Sequence, residues 1–194
     1  MRVSREQAAE NRKRIVKTAG RLFREKGFDG IGVADLMKAA GLTHGGFYGH
    51  FESKEALAAE AIREQLKESV ARWRQRSADN PEAPLQAIVD AYLSNDHRDA
   101  KALSCAIPAL ASEASKQSPA VRDSFSEGAN GLIGVLADTM PEASAEARRQ
   151  SAVVAFSAMV GSLMLSRAVG DRELSDEILS ATRAAFARST GPCQ

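Results

Sequence analysis

The sequence is poor in cysteine, proline and aromatic residues, and each shortage excludes a class of protein. Its two cysteines, Cys105 and Cys193, are too few and too far apart to hold a small secreted domain together by disulfides. Six prolines among 194 residues, with 44% hydrophobic and 26% charged residues, exclude collagen-like and disordered chains. The opening stretch MRVSREQAAENRKRI is charged throughout and contains no signal-peptide pattern, so we expect a cytoplasmic protein.

The sequence also has no apolar run long enough to cross a bilayer. The longest run, residues 152–166, reaches 15 residues before Arg167 and contains three serines. A membrane-spanning helix needs about 20 predominantly apolar residues. We therefore predict that this run is a buried helix and that the protein has no membrane partner.

Charge is distributed unevenly along the chain, although the net charge is only +1. Residues 1–54 carry 11 Lys+Arg and 6 Asp+Glu, a balance of +5, whereas residues 55–194 carry a balance of −4. A basic N-terminal part indicates an anionic partner such as nucleic acid. An unevenly charged solvated surface would produce the same split, so charge alone leaves both interpretations open.

Hydrophobic periodicity indicates helices, and no strand-like alternation or internal repeat emerges. Ile15, Ala19, Leu22 and Phe23 follow the i, i+4, i+7, i+8 spacing of an amphipathic helix, which Gly27 is placed to end. Alanine and long charged side chains, all good helix formers, dominate the composition. The sequence therefore predicts an all-α fold.

Start and stop signals divide the rest of the chain into further helices. A second helix is predicted over residues 33–40, with Gly41 placed to end it. A third helix is predicted after Thr43 and a long fourth after Ser53. Later helix starts are predicted at Asn80-Pro81, Ser118-Pro119, Ser144 and Ser175, and Pro108 is expected to kink or break its segment. Three short helices followed by a long one are typical of a helix-turn-helix domain joined to a helical body. A generic three-helix bundle is the alternative.

Residues 14–57 resemble the DNA-binding domain of the tetracycline-repressor (TetR/AcrR) family of transcriptional regulators. The matching segments are RIVKTAGRLFREKGFDG and VADLMKAAGLTHGGFYGHFESKEAL. The resemblance implies a helix-turn-helix DNA-binding domain over residues 1–52, followed by a helical effector-binding and dimerisation domain over residues 53–194. It also implies a homodimer that represses transcription at a palindromic operator in double-stranded DNA and is released by a small-molecule effector.

The glycine-rich segment after Thr43 is the predicted recognition helix. If Phe47 and Phe51 face inward and each residue advances by about 100°, Gly45 and Gly49 lie almost opposite the core and leave the outer face bare. Tyr48, His50 and Lys54 are suited to phosphate contacts, and they match family positions that contact the DNA backbone. The predicted DNA-binding residues are Thr43, His44, Gly45, Gly46, Tyr48, Gly49, His50 and Lys54. A basic arm, Arg12 to Arg14, is a further candidate contact.

The C-terminal part carries weaker signals. By the resemblance, helices over about 144–169 and 174–188 form the dimer interface; apolar spacing places Ala155, Met159, Leu163, Ile178, Thr182 and Phe186 along them. The candidate effector-pocket residues are Cys105, Phe125, Met159 and Met164, with core packing as the alternative. No resolving cysteine or basic cluster is evident beside Cys105 in the sequence, which favours a packing role over redox sensing.

Other functional classes find little support. The stretch NDHRD, residues 95–99, is interpreted as a turn rather than a metal site, and the glycines of EGANGLIG lack the ending of a phosphate loop. No catalytic triad is supported by spacing, so we expect no enzyme activity, no cofactor and no metal. The alternatives left open are a ligand-independent helix-turn-helix activator or architectural DNA binder, and a helical protein that binds an acidic protein partner.

Overall fold

The computed structural model describes residues 4–100 and 105–189, and this part of the chain contains nine α-helices and one 3₁₀ helix. The prediction of an all-α fold is confirmed. In chain order the α-helices are α1 (Arg5–Lys26), α2 (Val33–Ala39), α3 (Lys54–Asp79), α4 (Pro84–Tyr92), α5 (Asn95–Asp99), α6 (Ala106–Ala114), α7 (Pro119–Ala137), α8 (Ala145–Ala168) and α9 (Arg172–Ser189). The 3₁₀ helix, His44–Gly49, lies between α2 and α3. Cys193 lies outside the described residues.

Two glycines end the first two helices, as the sequence predicts. Gly27, with φ of 77°, follows α1, and its N–H donates to the Phe23 carbonyl at 2.8 Å. Gly41, with φ of 69°, forms a Schellman motif after α2. In that motif the Gly41 N–H donates to the Lys38 carbonyl at 3.0 Å and the next N–H donates to the Met37 carbonyl at 2.9 Å. The left-handed conformation at Gly41 allows the tight turn between α2 and the 3₁₀ helix.

The third element is a 3₁₀ helix rather than the predicted α-helix. The N–H of Gly46 donates to the Thr43 carbonyl at 3.1 Å, and the N–H of His50 donates to the Phe47 carbonyl at 2.8 Å. Thr43 occupies the N-cap position, but its side chain accepts no capping hydrogen bond. Three glycines in a six-residue element make the α-helix costly, and a 3₁₀ helix suits so short a piece.

Helix starts further along the chain are partly confirmed. Ser118 precedes α7, which begins with Pro119, and the Ser144 hydroxyl accepts the Ala147 N–H at 3.1 Å at the start of α8. Pro108 lies in the first turn of α6, where its missing N–H breaks no helical hydrogen bond. Helix α6 therefore continues past Pro108 to Ala114 without a break.

Two predicted helix starts are wrong. Asn80 ends α3, and the following helix begins with Pro84 rather than Pro81. Ser175 lies inside α9, because the Asp171 carboxylate caps that helix by accepting the Glu173 N–H at 2.9 Å. Asp171 provides the cap at α9, whereas α4 begins after Ala83, whose side chain makes no capping hydrogen bond, with Pro84 at its first position.

Helix α3 lies at the centre of the fold and packs against α1, α4 and α7. Its contact with α7 is close because α7 presents two glycines to it. A Cβ atom added to Gly128 would lie 2.3 Å from Cδ1 of Leu66, and one added to Gly131 would lie 2.8 Å from Cγ2 of Val70. One continuous hydrophobic core, which includes Leu66, extends from α1 to α9. The glycines therefore set the separation between α3 and α7.

Helix α8 is the one helix in the described ranges that is long and apolar enough, by length and composition, to cross a membrane. Its inner face packs into the core, where Ala155, Met159 and Leu163 are at most 2% exposed. These three residues therefore belong to the interior of a single chain and are not available to a dimer interface, contrary to expectation. A different face of α8, which includes Val154 and Leu165, is apolar and exposed.

We expect Gly128→Ala to lower the free energy of unfolding by about 1–3 kcal/mol, because the new methyl group overpacks the contact with Leu66. Gly134→Ala, in the same helix, is the matched control, since no atom lies within 4 Å of the added Cβ. That control should be neutral or stabilising by up to about 1 kcal/mol through helix propensity. Urea denaturation of both variants measures the difference, and equal stabilities would contradict the close packing.

Candidate nucleic-acid interface

The predicted DNA-binding residues lie along one continuous segment, from the 3₁₀ helix to the first residue of α3. Phe47 and Phe51 are 0% and 4% exposed and attach this segment to the core. The exposed predicted residues are Thr43, His44, Gly45, Tyr48 and Gly49, and the half-buried ones are Gly46, His50 and Lys54. The segment thus has a buried apolar side and an outer side on which most of the predicted residues lie.

The outer side of the 3₁₀ helix is bare at Gly45 and Gly49. No atom lies within 4 Å of a Cβ added to Gly45 or Gly49. A Cβ added to Gly46, in contrast, would meet Oγ1 of Thr43 at 3.7 Å and Cε of Met37 at 3.8 Å. Gly45 and Gly49 therefore expose backbone to a flat surface approaching from outside, as expected, although the helix type differs from the predicted one.

Tyr48 is the most prominent side chain on this surface. It is 69% exposed, and its ring packs edge-on against Phe47 with the centroids 5.2 Å apart. The buried Phe47 ring thus holds the base of the tyrosine, and the phenol hydroxyl extends into solvent. A fixed hydroxyl at this position is a suitable donor to a phosphate oxygen.

Arg12 fastens the end of the 3₁₀ helix to two other helices. Its guanidinium donates to the His50 carbonyl and to the Glu60 carboxylate of α3, with Nε 3.2 Å from Oε1 of Glu60. The same group lies over the Phe51 ring, 4.1 Å from the ring centroid. The one guanidinium group of Arg12 makes all three of these contacts. The position of the recognition segment is therefore set by α1 and α3 together.

The basic cluster that contains Arg12 is part of α1 and not a preceding arm, which corrects the expectation. Arg14 also makes a contact within the helix, since its guanidinium donates to Oδ1 of Asn11 at 2.9 Å. Sequence reasoning missed the structural role of Arg12, because its partners are 38 and 48 residues away along the chain. Lys13 stays exposed.

Lys54 is the first residue of α3, directly after Ser53, whose hydroxyl accepts the Ala56 N–H at 3.1 Å. A cation at a helix N-terminus is opposed by the helix dipole, by about 0.3–1 kcal/mol. Within the described residues Lys54 forms no salt bridge. An anion bound at this helix end would be attracted both by the ammonium group and by the free backbone N–H groups.

A carboxylate from α6 connects the body of the protein to the N-terminal helices. Glu113 accepts the Phe28 N–H at 2.9 Å, in the loop that joins α1 to α2. The left-handed Gly27 leaves room for this carboxylate, because a Cβ there would lie 2.7 Å from Oε1 of Glu113. This hydrogen bond joins α6 directly to the loop that precedes α2.

The four predicted pocket residues lie on two helices and at the residue that precedes a third. Cys105 precedes α6 and Met159 lies in α8, and these two are 6% and 0% exposed. Phe125 of α7 and Met164 of α8 are half-buried. Their burial fits the packing alternative as well as the pocket, so their role in effector binding stays a prediction.

The surroundings of Cys105 are more basic than the sequence indicated. Arg72 of α3 and Arg24 of α1 are close enough to favour the thiolate, but burial of the thiol outweighs them and raises its pKa. His97 accepts the Cys105 N–H at its Nε2, 3.2 Å away, and its Nδ1 lies 2.6 Å from the Tyr92 carbonyl. Because Nε2 accepts a hydrogen bond, the ring is neutral and donates from Nδ1, and burial lowers the pKa of His97 in the same sense.

The stretch NDHRD forms α5 instead of a turn. Arg98 is 3% exposed and donates to the Ser175 hydroxyl at 2.9 Å and to Oδ1 of Asp99 at 2.8 Å. The hydrogen bond from Arg98 is the main cause that lowers the pKa of Asp99 to about 2. These side chains join α5 to α9, and in the described part of the chain no group of three metal-ligating residues forms.

Comparisons with known proteins agree on one family. The profile of bacterial regulatory proteins, tetR family, matches residues 15–61. Over 174 residues the chain is 31% identical to the HTH-type transcriptional regulator LmrA of Bacillus subtilis, and the alignment covers 81% of this chain and 86% of LmrA. It is 32% identical over 96 residues to the uncharacterised regulator YerO of Bacillus subtilis, covering 46% of this chain and 33% of YerO.

A solved structure supports the same fold. The crystal structure of Escherichia coli NemR in its reduced form superposes with a TM-score of 0.79 and 22% identity, covering 92% of this chain and 97% of that one. For YerO, in contrast, the chain aligns with a third of the relative's length. The likeness to NemR shows the fold, and the match to LmrA extends the sequence relationship over both parts of the chain.

We expect Cys105 to react slowly with iodoacetamide at pH 7, because burial both blocks access and keeps the thiol protonated. In a Cys193→Ser variant, labelling should be slower than in the denatured chain by more than about tenfold, the factor that an opening free energy of ~1.4 kcal/mol produces. Mass spectrometry over a pH series measures the rate, which should rise only above the usual thiol range. Labelling at pH 7 as fast as in the denatured chain would contradict this assignment.

Proposed function

Because the chain belongs to the tetR family of bacterial regulatory proteins, we propose that it binds a palindromic operator in double-stranded DNA as a homodimer and leaves it when a small-molecule effector binds. It is a transcriptional regulator and not an enzyme. Residues 1–52 read the DNA, and residues 53–194 bind the effector and dimerise. The observation that carries the proposal is the bare outer face of the 3₁₀ helix on its buried phenylalanine base.

The bare face allows the backbone of the 3₁₀ helix to approach the major groove closely. Gly45, Gly46 and Gly49 present no side chain that would hold the DNA away. Thr43 and His44 stand at the N-terminal end of the helix, which is where helix-turn-helix proteins contact base edges. Close backbone approach and few base-reading side chains are thus the recognition mode of this chain.

Phosphate contacts flank the groove-facing helix. The Tyr48 hydroxyl, the His50 ring and the Lys54 ammonium donate to phosphate oxygens on the two sides of the groove. Tyr48 is held by Phe47, and the His50 backbone is held by Arg12. Rigid placement of these donors fixes the register of the protein on the duplex.

The exposed apolar face of α8 and α9 is the proposed dimer interface. Val154 and Leu165 of α8 are 68% and 57% exposed, and Leu174 of α9 is 41% exposed. No atom lies within 4 Å of a Cβ added to Gly161 on α8, so a second helix can approach there closely. A two-fold dimer through this face presents two recognition helices about 34 Å apart, which requires a palindromic operator.

The dimer has two states that differ in the separation of its DNA-binding domains. The effector binds one state more tightly than the other and so shifts the dimer toward that state. Cys105, Phe125, Met159 and Met164 are the proposed effector contacts in the cytoplasmic protein. The hydrogen bond from Phe28 to Glu113 is the link by which a movement of α6 reaches the N-terminal helices. Repression is favoured over activation because relatives such as NemR of Escherichia coli are named transcriptional repressors. A ligand-independent activator or architectural binder is the alternative, and it would stay on DNA in the presence of any effector.

We expect Lys54→Gln to weaken binding to all DNA sequences alike and to reduce the slope of log K against log salt by about one unit. The physical reason is the loss of one phosphate contact and its released counterion. Fluorescence anisotropy with a duplex from the chain's own promoter region measures the slope. Lys67→Gln, on the exposed side of the same helix, should leave it unchanged. An unchanged slope in the Lys54 variant would rule out this phosphate contact.

We expect Val154→Asp to convert the dimer into a monomer, because the carboxylate would be buried without a partner in the apolar interface. Sedimentation velocity measures the molecular mass. Ala120→Asp places the same charge on an exposed position of α7 and should remain dimeric. A dimeric Val154 variant would mean that α8 does not form the interface through this face.

A further inference from the structure

A groove with a volume of about 790 Å³ runs between α1 and α3. The two helices run in the same direction along it, because Arg12 contacts Glu60 at one end and Arg24 lies near Glu68 and Arg72 at the other. The first end adjoins the recognition segment, through the bond from Arg12 to the His50 carbonyl. The groove does not include any of the four predicted pocket residues.

The groove carries an excess of positive charge. Its three acidic lining residues are Glu60, Glu64 and Glu68; Arg12 pairs with Glu60, and Arg72 lies 3.9 Å from Glu68. The cationic lining residues are Arg12, Lys13, Lys17, Arg21, Arg24 and Arg72. Among the described residues, Lys13 and Lys17 form no salt bridge. Two ammonium groups are therefore available to an anion in the groove.

The side-chain amide of Gln65 lies in the groove, and its oxygen accepts no hydrogen bond from the described residues. The Gln65 side chain lies over Gly20, where a Cβ would fall 1.6 Å from its Nε2. Its Oε1 is buried and accepts no hydrogen bond within the part of the chain that the structure describes. Leaving a buried acceptor unpaired destabilises the folded chain. A ligand with a hydroxyl or amino donor would remove that cost.

Two arginines at the inner end are already positioned. Arg72 donates to the Ser69 hydroxyl at 2.8 Å, and Ser69 is 4% exposed. Arg24 is half-buried, and burial lowers its pKa. These two arginines add to the positive charge that lines the groove.

We propose that the groove between α1 and α3 binds a small, hydrophilic organic anion that carries carboxylate or phosphate groups and at least one hydroxyl or amino donor. The anionic oxygens accept from Lys13 and Lys17, one turn apart on α1, and the donor binds Oε1 of Gln65. The volume is that of an ordinary small-molecule site, and its polar lining selects a hydrophilic ligand. A ligand there holds α1 against α3, and so bears on the element that Arg12 fastens.

Isothermal titration calorimetry of the full chain without DNA tests the site, with citrate and glycerol 3-phosphate as probes at constant ionic strength. At least one probe should bind with one site per chain and a Kd below about 1 mM. The probe that binds distinguishes a carboxylate from a phosphate ligand. The double variant Lys13→Gln/Lys17→Gln should bind at least about tenfold more weakly, whereas Lys67→Gln should bind like the unmodified chain. Thermal melting checks that all variants are folded.

Gln65 provides a second readout. If citrate binds, it should bind more tightly than propane-1,2,3-tricarboxylate, which lacks its hydroxyl, and Gln65→Leu should abolish that difference. If glycerol 3-phosphate binds, the same comparison is made with propyl phosphate. The proposal is overturned if neither probe binds, or if the lysine double variant and the Lys67 control bind equally. Because no DNA is present, these results are independent of whether the chain binds an operator.

Discussion

The guanidinium of Arg12 is the contact on which the recognition segment depends. The 3₁₀ helix contains three glycines and has little intrinsic stability as a helix, so its shape must come from its neighbours. Two buried phenylalanines supply the apolar contact, and Arg12 supplies the polar one by binding the His50 carbonyl, the Glu60 carboxylate and the Phe51 ring. The segment thus keeps a defined position although Gly45 and Gly49 contribute no side chain to its outer face.

Helix α3 carries this position into the rest of the molecule. It begins at the proposed phosphate contact, Lys54, and meets Arg12 through Glu60 one to two turns later. Further along, Gly20 on one side and Gly128 on the other allow neighbouring side chains of α3 to approach closely. At Gly128 the contact leaves no room for a Cβ, so α3 and α7 are packed closely along their shared face.

A second set of polar contacts shapes the C-terminal helices. Buried Arg98 donates to Ser175 and Asp176 of α9, while Arg167 of α8 donates to the carbonyls of Arg98 and His97, the latter at 2.7 Å. These bonds hold α5 against the α8–α9 pair. With the inner face of α8 occupied by core contacts, Val154 and Leu165 remain on the outer face, and an exposed apolar surface of this kind indicates an interaction site.

The sequence by itself determined the helical class, the glycine stops at Gly27 and Gly41, the serine cap at Ser53 and the family motif of residues 14–57. All of these depend on residues within a few positions of each other, where spacing and backbone preference act directly. Only the tertiary structure decided that the third helix is 3₁₀, that Arg12 is a structural anchor, that burial overrides the arginines near Cys105, and which face of α8 is exposed. Those outcomes depend on partners tens of residues away along the chain and on the extent to which packing excludes water from a side chain. No local sequence pattern encodes these two quantities.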